Sequence, residues 1–309
     1  MTTVTATVPF KDEDVAVSRP VTVGKKKRRR KRIVLQAFLI VVAVGWLFPL
    51  LWAVFASFRD YVYTQAHGYG SLGGFTLGNY ADAWRRGEFT QHFLNSVIIV
   101  VPTVLLTLTL ASGVAFVVAR FSFRFNLAML GFFTAANLLP PQALIIPLFR
   151  IFREIPVPTF ISESGTLLDS FLGLILANMA FQIGFCAFVL SNYMKTLPRD
   201  LYEAAQVDGA SVFRQYWSIT LPLCRPALGA LAALEVVFIY NEFLLATALL
   251  QTGDKFPITS ALNNLRGEFF TDTNLLSAGS VIIAIPPIFV FLLLQRQFVR
   301  GLTLGATKG

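Results

Sequence analysis

The chain has 309 residues, of which 55% are hydrophobic and only 14% are charged. A soluble domain of this length carries more charge, so the composition excludes an ordinary soluble enzyme or binding module. The net charge of +9 is concentrated in one place: residues 25–32 are an unbroken basic run that directly precedes an apolar stretch. We expect this run to lie against anionic lipid at a membrane surface and not to bind nucleic acid.

The N-terminal part is predicted to be a tail followed by a membrane helix. Residues 1–32 are polar or basic without periodicity, which is typical of a disordered cytoplasmic segment. The stretch 33–58 has no charge and is far longer than the apolar region of about 7–15 residues in a cleaved signal peptide. We therefore expect an uncleaved first helix and an outer loop that together fill 33–92. His67 and His92 have no second ligand at a metal-binding spacing, so both are expected to be solvated.

Six stretches are long enough to cross a membrane. A hydrocarbon core of about 30 Å takes roughly 20 helical residues, and backbone groups in lipid must be paired within the segment. The sequence therefore predicts an all-α, polytopic membrane protein with six transmembrane helices. These are 33–58, 93–119, 125–149, 170–194, 226–253 and 274–295. The last five form a predicted permease core, 93–299, which is followed by a cytoplasmic tail, 300–309.

The distribution of Lys and Arg predicts the orientation. With the N-terminus placed inside, 19 of the 26 Lys and Arg residues fall in inner segments and 7 in outer ones. Because inner loops carry the excess of positive charge, both termini are expected in the cytoplasm.

The inner loop 195–225 is predicted to contain two short helices. Pro198 sits at an early helical position, where its missing N–H is tolerated. Asp208-Gly209 ends the first helix, with Gly209 in a left-handed conformation. Ser211 caps the second helix, which presents Phe213, Tyr216 and Trp217 on one face and stops at Leu221-Pro222.

This loop resembles the EAA loop of binding-protein-dependent ABC importer permeases. The matching elements are Glu203-Ala204-Ala205, then three intervening residues and Gly209, then nine intervening residues and Ile219-x-Leu221-Pro222. Residues 139–149, 241–244 and 298–309 are similar to motifs of the carbohydrate, maltose-type G-subunit group. The resemblance covers 33–309. The outer loop 154–169 is longer than is usual in the family.

The resemblance implies a type I ABC importer permease fold in the plasma membrane of a prokaryote. It also implies four kinds of partner: a second permease subunit that forms a heterodimer, two cytoplasmic ATPase subunits, an extracytoplasmic substrate-binding protein and the bilayer. The chain has no G-x-x-x-x-G-K-[ST] phosphate loop, so ATP and Mg are expected on the ATPase, and this chain is expected to bind no cofactor or metal and to be no enzyme. The residues expected to dock on the ATPase are Glu203, Ala204, Ala205, Asp208, Gly209, Ile219, Leu221 and Pro222.

Polar groups inside the spans are candidates for the translocation path. Ionisable residues in a membrane usually face the bundle interior or a wet cavity. The candidates are Asn178, Gln182, Glu235, Asn241 and Glu242; helix–helix hydrogen bonding is the alternative role for these side chains. Pro140, Pro141, Pro147, Pro286 and Pro287 are expected to interrupt the third and sixth spans.

Three readings of the function remain open from the sequence. The first is an importer subunit that moves a sugar or oligosaccharide. The second is an importer of another solute, such as a polyamine, phosphate or a peptide. The third is a proton-coupled secondary transporter that uses Glu235 or Glu242. The two cysteines, Cys186 and Cys224, are expected to be unpaired thiols.

Overall fold

The computed structural model describes residues 25–121, 125–136, 139–267 and 271–306. Within these residues the regular structure is helical, with two isolated β-bridges. The α-helices are α1 (Lys25–Ser57), α2 (Tyr61–His67), α3 (Gly78–Arg86), α4 (Phe89–Arg120), α5 (Asn126–Ala136), α6 (Pro141–Glu154), α7 (Phe171–Met194), α8 (Asp200–Val207), α9 (Val212–Gln215), α10 (Leu221–Leu223), α11 (Arg225–Tyr240), α12 (Leu244–Leu249), α13 (Ile258–Ala261) and α14 (Thr273–Ala306). A π-helical turn, Tyr216–Thr220, lies between α9 and α10, and 3₁₀ turns cover Gly253–Lys255 and Leu262–Leu265. The all-α fold class is confirmed.

The chain divides into two compact units, Met1–Leu51 and Trp52–Gly309. In the described residues the first unit is the part of α1 from Lys25 to Leu51. The predicted tail 1–32 lies outside the described residues as far as Gly24, whereas the basic run 25–32 is helical and continuous with the first span.

Four of the predicted spans are single long helices. In the described part of the chain these are Arg32–Ser57, Phe89–Arg120, Phe171–Met194 and Thr273–Gln295, all apolar enough to cross a membrane. A fifth candidate is a bent pair, in which Val212–Leu223 meets α11 at 72°. The chain is therefore a multi-pass membrane protein, and the count of six spans stays a prediction.

The third predicted span, 125–149, is divided into α5 and α6. Pro140 is extended, with φ −66° and ψ 128°, and Pro141 occupies the first turn of α6. A residue that precedes proline avoids the helical region, so Pro140 lies outside the helix and α6 starts at Pro141. Pro147 lies inside α6 and does not interrupt it.

The fifth predicted span, 226–253, is also not one helix. The first helix of this region, α11, ends at Tyr240, and a short break precedes α12. The Glu242 carboxylate accepts hydrogen bonds from the backbone N–H groups of Leu245, at 2.7 Å, and Ala246, at 3.0 Å. These are two of the N–H groups that a helix start leaves without partners, so Glu242 stabilises the break.

The predicted interruption of the sixth span is wrong. Pro286 and Pro287 both lie inside α14, which continues to Ala306 and includes most of the predicted tail 300–309. Pro287 has no N–H to offer the carbonyl of Ile283, four residues earlier. The hydroxyl of Tyr240 on α11 donates to that carbonyl at 3.0 Å instead.

The hydrophobic core of the second unit has two clusters. The larger one joins parts of α4, α7, α11, α12 and α14. The smaller one lies where the C-terminal halves of α4 and α7 meet α8 and the start of α11. Ala111, Ala115, Cys186 and Ala187 are fully buried in this second cluster. Small side chains let membrane helices approach closely, and α4 packs on α7 through these residues.

Candidate functional site: the loop between α7 and α11

The helix α8 ends in a Schellman motif centred on Gly209. The N–H of Ala210 bonds to the carbonyl of Ala205 at 2.8 Å, and the N–H of Gly209 bonds to that of Gln206 at 3.0 Å. Gly209 has φ +75°, and Asp208 is the C-cap residue. An added Cβ at Gly209 would meet nothing within 4 Å. The glycine is therefore required by the backbone conformation and not by crowding.

The two sides of α8 differ in exposure. Tyr202 and Ala205 are buried, whereas Glu203 and Ala204 are exposed. Ala205, which the resemblance predicts to dock on the ATPase, is therefore not accessible on this surface. The Tyr202 hydroxyl is 3.1 Å from Thr220 Oγ1, and burial raises the pKa of this phenol. The Glu203 carboxylate and the small Ala204 side chain are thus accessible on one side of α8, and Tyr202 anchors its other side.

Hydrogen bonds fix the second half of the loop relative to the first. Ser211 caps α9 by accepting from the N–H of Arg214 at 3.3 Å, as predicted. The buried Gln215 side chain donates to the carbonyl of Ala210 at 3.0 Å, and Thr220 Oγ1 donates to the carbonyl of Gln215 at 3.1 Å. These hydrogen bonds, with the one between Tyr202 and Thr220, connect α8 to the helical segment that starts at α9.

The predicted stop at Leu221-Pro222 is wrong. Helical structure continues through the π turn and α10 to Leu223, and the bend is at Cys224. The N–H of Leu221 bonds to the carbonyl of Tyr216, five residues back. This wider winding carries the chain into Pro222, near the start of α10, where a missing N–H is tolerated. Ile219, Leu221 and Pro222 are half-buried.

The predicted aromatic face divides into two. Tyr216 turns inward: its hydroxyl is 2.7 Å from Ser112 Oγ, and its ring packs on Phe116. Phe213 and Trp217 remain 71% and 49% exposed. This exposed aromatic pair gives the second half of the loop an apolar contact surface.

The candidate path residues do not form one site. Asn178 and Glu242 line the same cavity with Ser96 and Tyr240, and its volume is about 10 Å³. That is room for about one water molecule and not for a sugar. Asn178 also donates to the carbonyl of its own helix at Leu174.

The other candidate path residues lie elsewhere. Glu235 is completely buried between α11 and α7, where its carboxylate accepts a hydrogen bond from the Cys186 thiol at 3.2 Å. Glu235 therefore takes part in hydrogen bonding between α7 and α11, the alternative role considered from the sequence. Asn241 is exposed and donates to the carbonyl of Val237, and Gln182 is half-buried on α7.

An ion pair that the sequence does not indicate joins two loops at the opposite end of α7. Asp169, with φ +55°, lies 3.0 Å from Lys255 Nζ. Its carboxylate also accepts from the N–H groups of Gln251 and Thr252 and from the Thr252 hydroxyl. Burial by itself would raise the pKa of Asp169, but these donors and Lys255 outweigh it and lower the pKa to about 2.

The same end contains a second correction. His92 is buried, not solvated, and its Nδ1 lies 2.7 Å from the carbonyl oxygen of Phe256. Asn95 donates to Asp254 and Phe256, and Ser96 accepts from the N–H of Ile258. The start of α4 thus holds the loop that follows α12. His67 is exposed and stacks on Tyr63.

Comparison with known proteins gives the family. Residues 109–304 match the model of the binding-protein-dependent transport system inner membrane component. The chain is 31% identical to a probable ABC transporter permease protein of Pyrococcus horikoshii, over 84% of this chain and 92% of that protein. It is 31% identical to the trehalose transport system permease protein SugB of Mycobacterium tuberculosis, over 90% of this chain and 99% of that protein.

A third relative and a solved structure agree. The diacetylchitobiose uptake system permease protein NgcG of Streptomyces coelicolor is 30% identical, over 91% of this chain and 90% of that protein. A chain of a bacterial ABC transporter involved in the import of alginate, an acidic polysaccharide, has the same fold, with a TM-score of 0.74 and 22% identity over 89% of this chain and 99% of that one. The chain belongs to the family of binding-protein-dependent transport system inner membrane components, the permease subunits of ABC importers.

Proposed function

We propose that this permease subunit moves a sugar or oligosaccharide, delivered by an extracytoplasmic binding protein, into the cytoplasm. The relatives that support a carbohydrate cargo are named for trehalose and diacetylchitobiose, and the solved importer is one for alginate, determined also with an alginate pentasaccharide-bound periplasmic protein. A second permease subunit completes the pathway, and both termini lie in the cytoplasm.

The observation that carries the coupling role is the outward side of α8. Glu203 and Ala204 are exposed, whereas Tyr202 packs among buried residues of α4 and α7 on the other side of the helix. One of the two ATPase subunits, with ATP and Mg, docks on this side, on Ile219, Leu221 and Pro222, and on the turn at Asp208 and Gly209. Hydrogen bonds of Gln215 and Thr220 connect the two short helices. A displacement of α8 by the ATPase is therefore transmitted to the ends of α4 and α7.

Alternating access requires the path to open and close. The cavity between Asn178 and Glu242 is too small for a sugar in this conformation. Opening it requires movement of α11 relative to α4 and α7. We place the driving force for that movement in the ATPase, through the loop 195–225.

Reconstituted uptake tests the proposal. Proteoliposomes that contain this chain, its partner permease and the ATPase receive a binding protein loaded with radiolabelled maltooligosaccharide or trehalose. We expect accumulation that requires internal ATP and the binding protein, and that persists when an uncoupler removes the proton gradient. Uptake that stops with the uncoupler at constant ATP supports a proton-coupled carrier instead. ATP-driven uptake of a polyamine, phosphate or a peptide, without any carbohydrate, contradicts the proposed cargo.

A further inference from the structure

A polar cavity of about 570 Å³ lies at the end of the bundle beside α8. It is formed where α4 and α7 end and where the chain enters the loop. Its polar lining residues are Arg120, Asn126, Lys195, Arg199, Tyr202 and Glu203. The proposed function identifies this end of the bundle as cytoplasmic, and the inference below rests on that assignment.

The cavity carries an excess of positive charge. Arg120, Lys195 and Arg199 contribute three cations, and Glu203 contributes one carboxylate. Among the described residues, the ion pairs join Asp82 to Arg85 and Arg86, and Asp169 to Lys255. None of these involves the cavity, so its cations attract an anion from outside.

Among the residues that the structure describes, two buried polar atoms in the lining have no hydrogen-bond partner. The Nε of Arg120 is a donor, and the Oδ1 of Asn126 is an acceptor. The Arg120 guanidinium is held over the Tyr202 ring, with its carbon 5.0 Å from the ring centre. Asn126 is fixed by its amide, which donates to the carbonyls of Val118 and Phe121. A matching ligand therefore offers both an anionic acceptor and a hydroxyl donor.

The position of the cavity indicates a lipid. Arg120 is the last residue of α4, and Lys195 follows the last residue of α7, so both lie where membrane helices leave the hydrocarbon core. Phe121, which is exposed, lines the cavity beside them and suits an acyl chain. Basic pockets between helices on the cytoplasmic side bind anionic headgroups. We propose that this cavity binds the headgroup of an anionic phospholipid with hydroxyl groups, of the phosphatidylglycerol class.

This lipid would also influence coupling. Glu203 lines the cavity and is exposed on α8. A phosphate bound by Lys195 and Arg199 neutralises the two cations that are nearest to Glu203 in the sequence, so they do not pair with its carboxylate. The carboxylate is then left available for a cation on the ATPase.

Native mass spectrometry tests the proposal on the full chain, extracted from membranes with its co-purifying subunits. The complex is exchanged into mixed phosphatidylglycerol and phosphatidylcholine, and the bound lipids are counted without ATP or cargo. The test variant is Lys195→Gln/Arg199→Gln. The matched control is Arg214→Gln/Arg225→Gln, which removes two exposed loop cations that do not line the cavity.

We expect the wild type and the control to retain phosphatidylglycerol selectively, and the test variant to bind it about 25-fold more weakly, at about fivefold for each lost cation. Equal retention by the test variant and the control overturns the proposal. Displacement of the lipid by millimolar inorganic phosphate also overturns it, in favour of a free-phosphate site. If the test variant loses the ATPase subunit and keeps the lipid, the cavity serves a protein contact. The count needs no transport, so failed sugar uptake leaves the result unaffected.

Discussion

The hydroxyl of Tyr240 on α11 donates to the carbonyl of Ile283 on α14 at 3.0 Å, and this carbonyl is the one that Pro287 deprives of its helical donor. The two buried groups satisfy each other across the helix pair. This bond compensates for Pro287 within the last span, because proline is tolerated in membrane helices where a neighbour supplies the missing partner.

Tyr240→Phe is expected to destabilise the protein by about 1–3 kcal/mol, because it leaves the Ile283 carbonyl without a donor. Thermal unfolding in detergent measures the loss. In a Pro287→Ala background the backbone N–H returns, so the same Tyr240→Phe change is expected to cost less. An identical loss in both backgrounds contradicts the assigned role of Tyr240.

Gly209→Ala is expected to destabilise the loop by about 1–2 kcal/mol, because φ is +75° and an L side chain disfavours that region. Gly253→Ala is the matched control. An added Cβ meets nothing within 4 Å at either glycine, and only Gly209 has a positive φ. We expect Gly209→Asn to recover part of the loss, since Asn tolerates the left-handed region. Equal effects of the two alanine substitutions on thermal unfolding contradict the conformational explanation.

The pKa of Asp169, lowered to about 2 from an ordinary value of 3.8, gives the sign of a pH effect. A carboxyl whose folded-state pKa is depressed contributes stability that is present above its unfolded pKa and lost as the pH falls through the folded one. We expect Asp169→Asn to lower the unfolding temperature near neutral pH. The gap from the wild type should narrow between about pH 4 and pH 2.

Lys255→Met tests the contribution of the lysine to the ion pair with Asp169. It removes one donor and leaves the hydrogen bonds from Gln251 and Thr252 in place. We expect a smaller loss of unfolding temperature at neutral pH than for Asp169→Asn. A larger loss from Lys255→Met contradicts the view that the hydrogen bonds from Gln251 and Thr252 carry most of the contact.

Local chemistry in the loop could be predicted from the sequence, because its determinants are adjacent residues. Asp208-Gly209 gives the left-handed helix end, and Ser211 caps the next helix, since both act within a few positions. Glu242 was expected in a translocation path because a carboxylate in an apolar stretch suggests one. In the structure Glu242 accepts from backbone N–H groups at the start of α12. These groups are free only because the helix breaks after Tyr240, and the sequence pattern does not show that break.

Contacts between distant segments could not be predicted from one sequence. His92 lies 164 residues from Phe256, and Asp169 lies 86 residues from Lys255. A His or Asp in an outer loop is usually solvated, so only the fold reveals that these side chains are buried. The continuity of α14 is the same kind of case, because it depends on Tyr240, which lies on another helix.

The measurement that tests the coupling role most directly is ATP-driven uptake by Glu203→Lys in the reconstituted complex, alongside co-purification of the ATPase. Gln206→Lys is the matched control, since Gln206 is also an exposed residue of α8. We expect Glu203→Lys to lose most uptake and ATPase binding while its unfolding temperature is unchanged, and Gln206→Lys to retain both. Full uptake and a stoichiometric ATPase in Glu203→Lys would contradict docking through this side of α8.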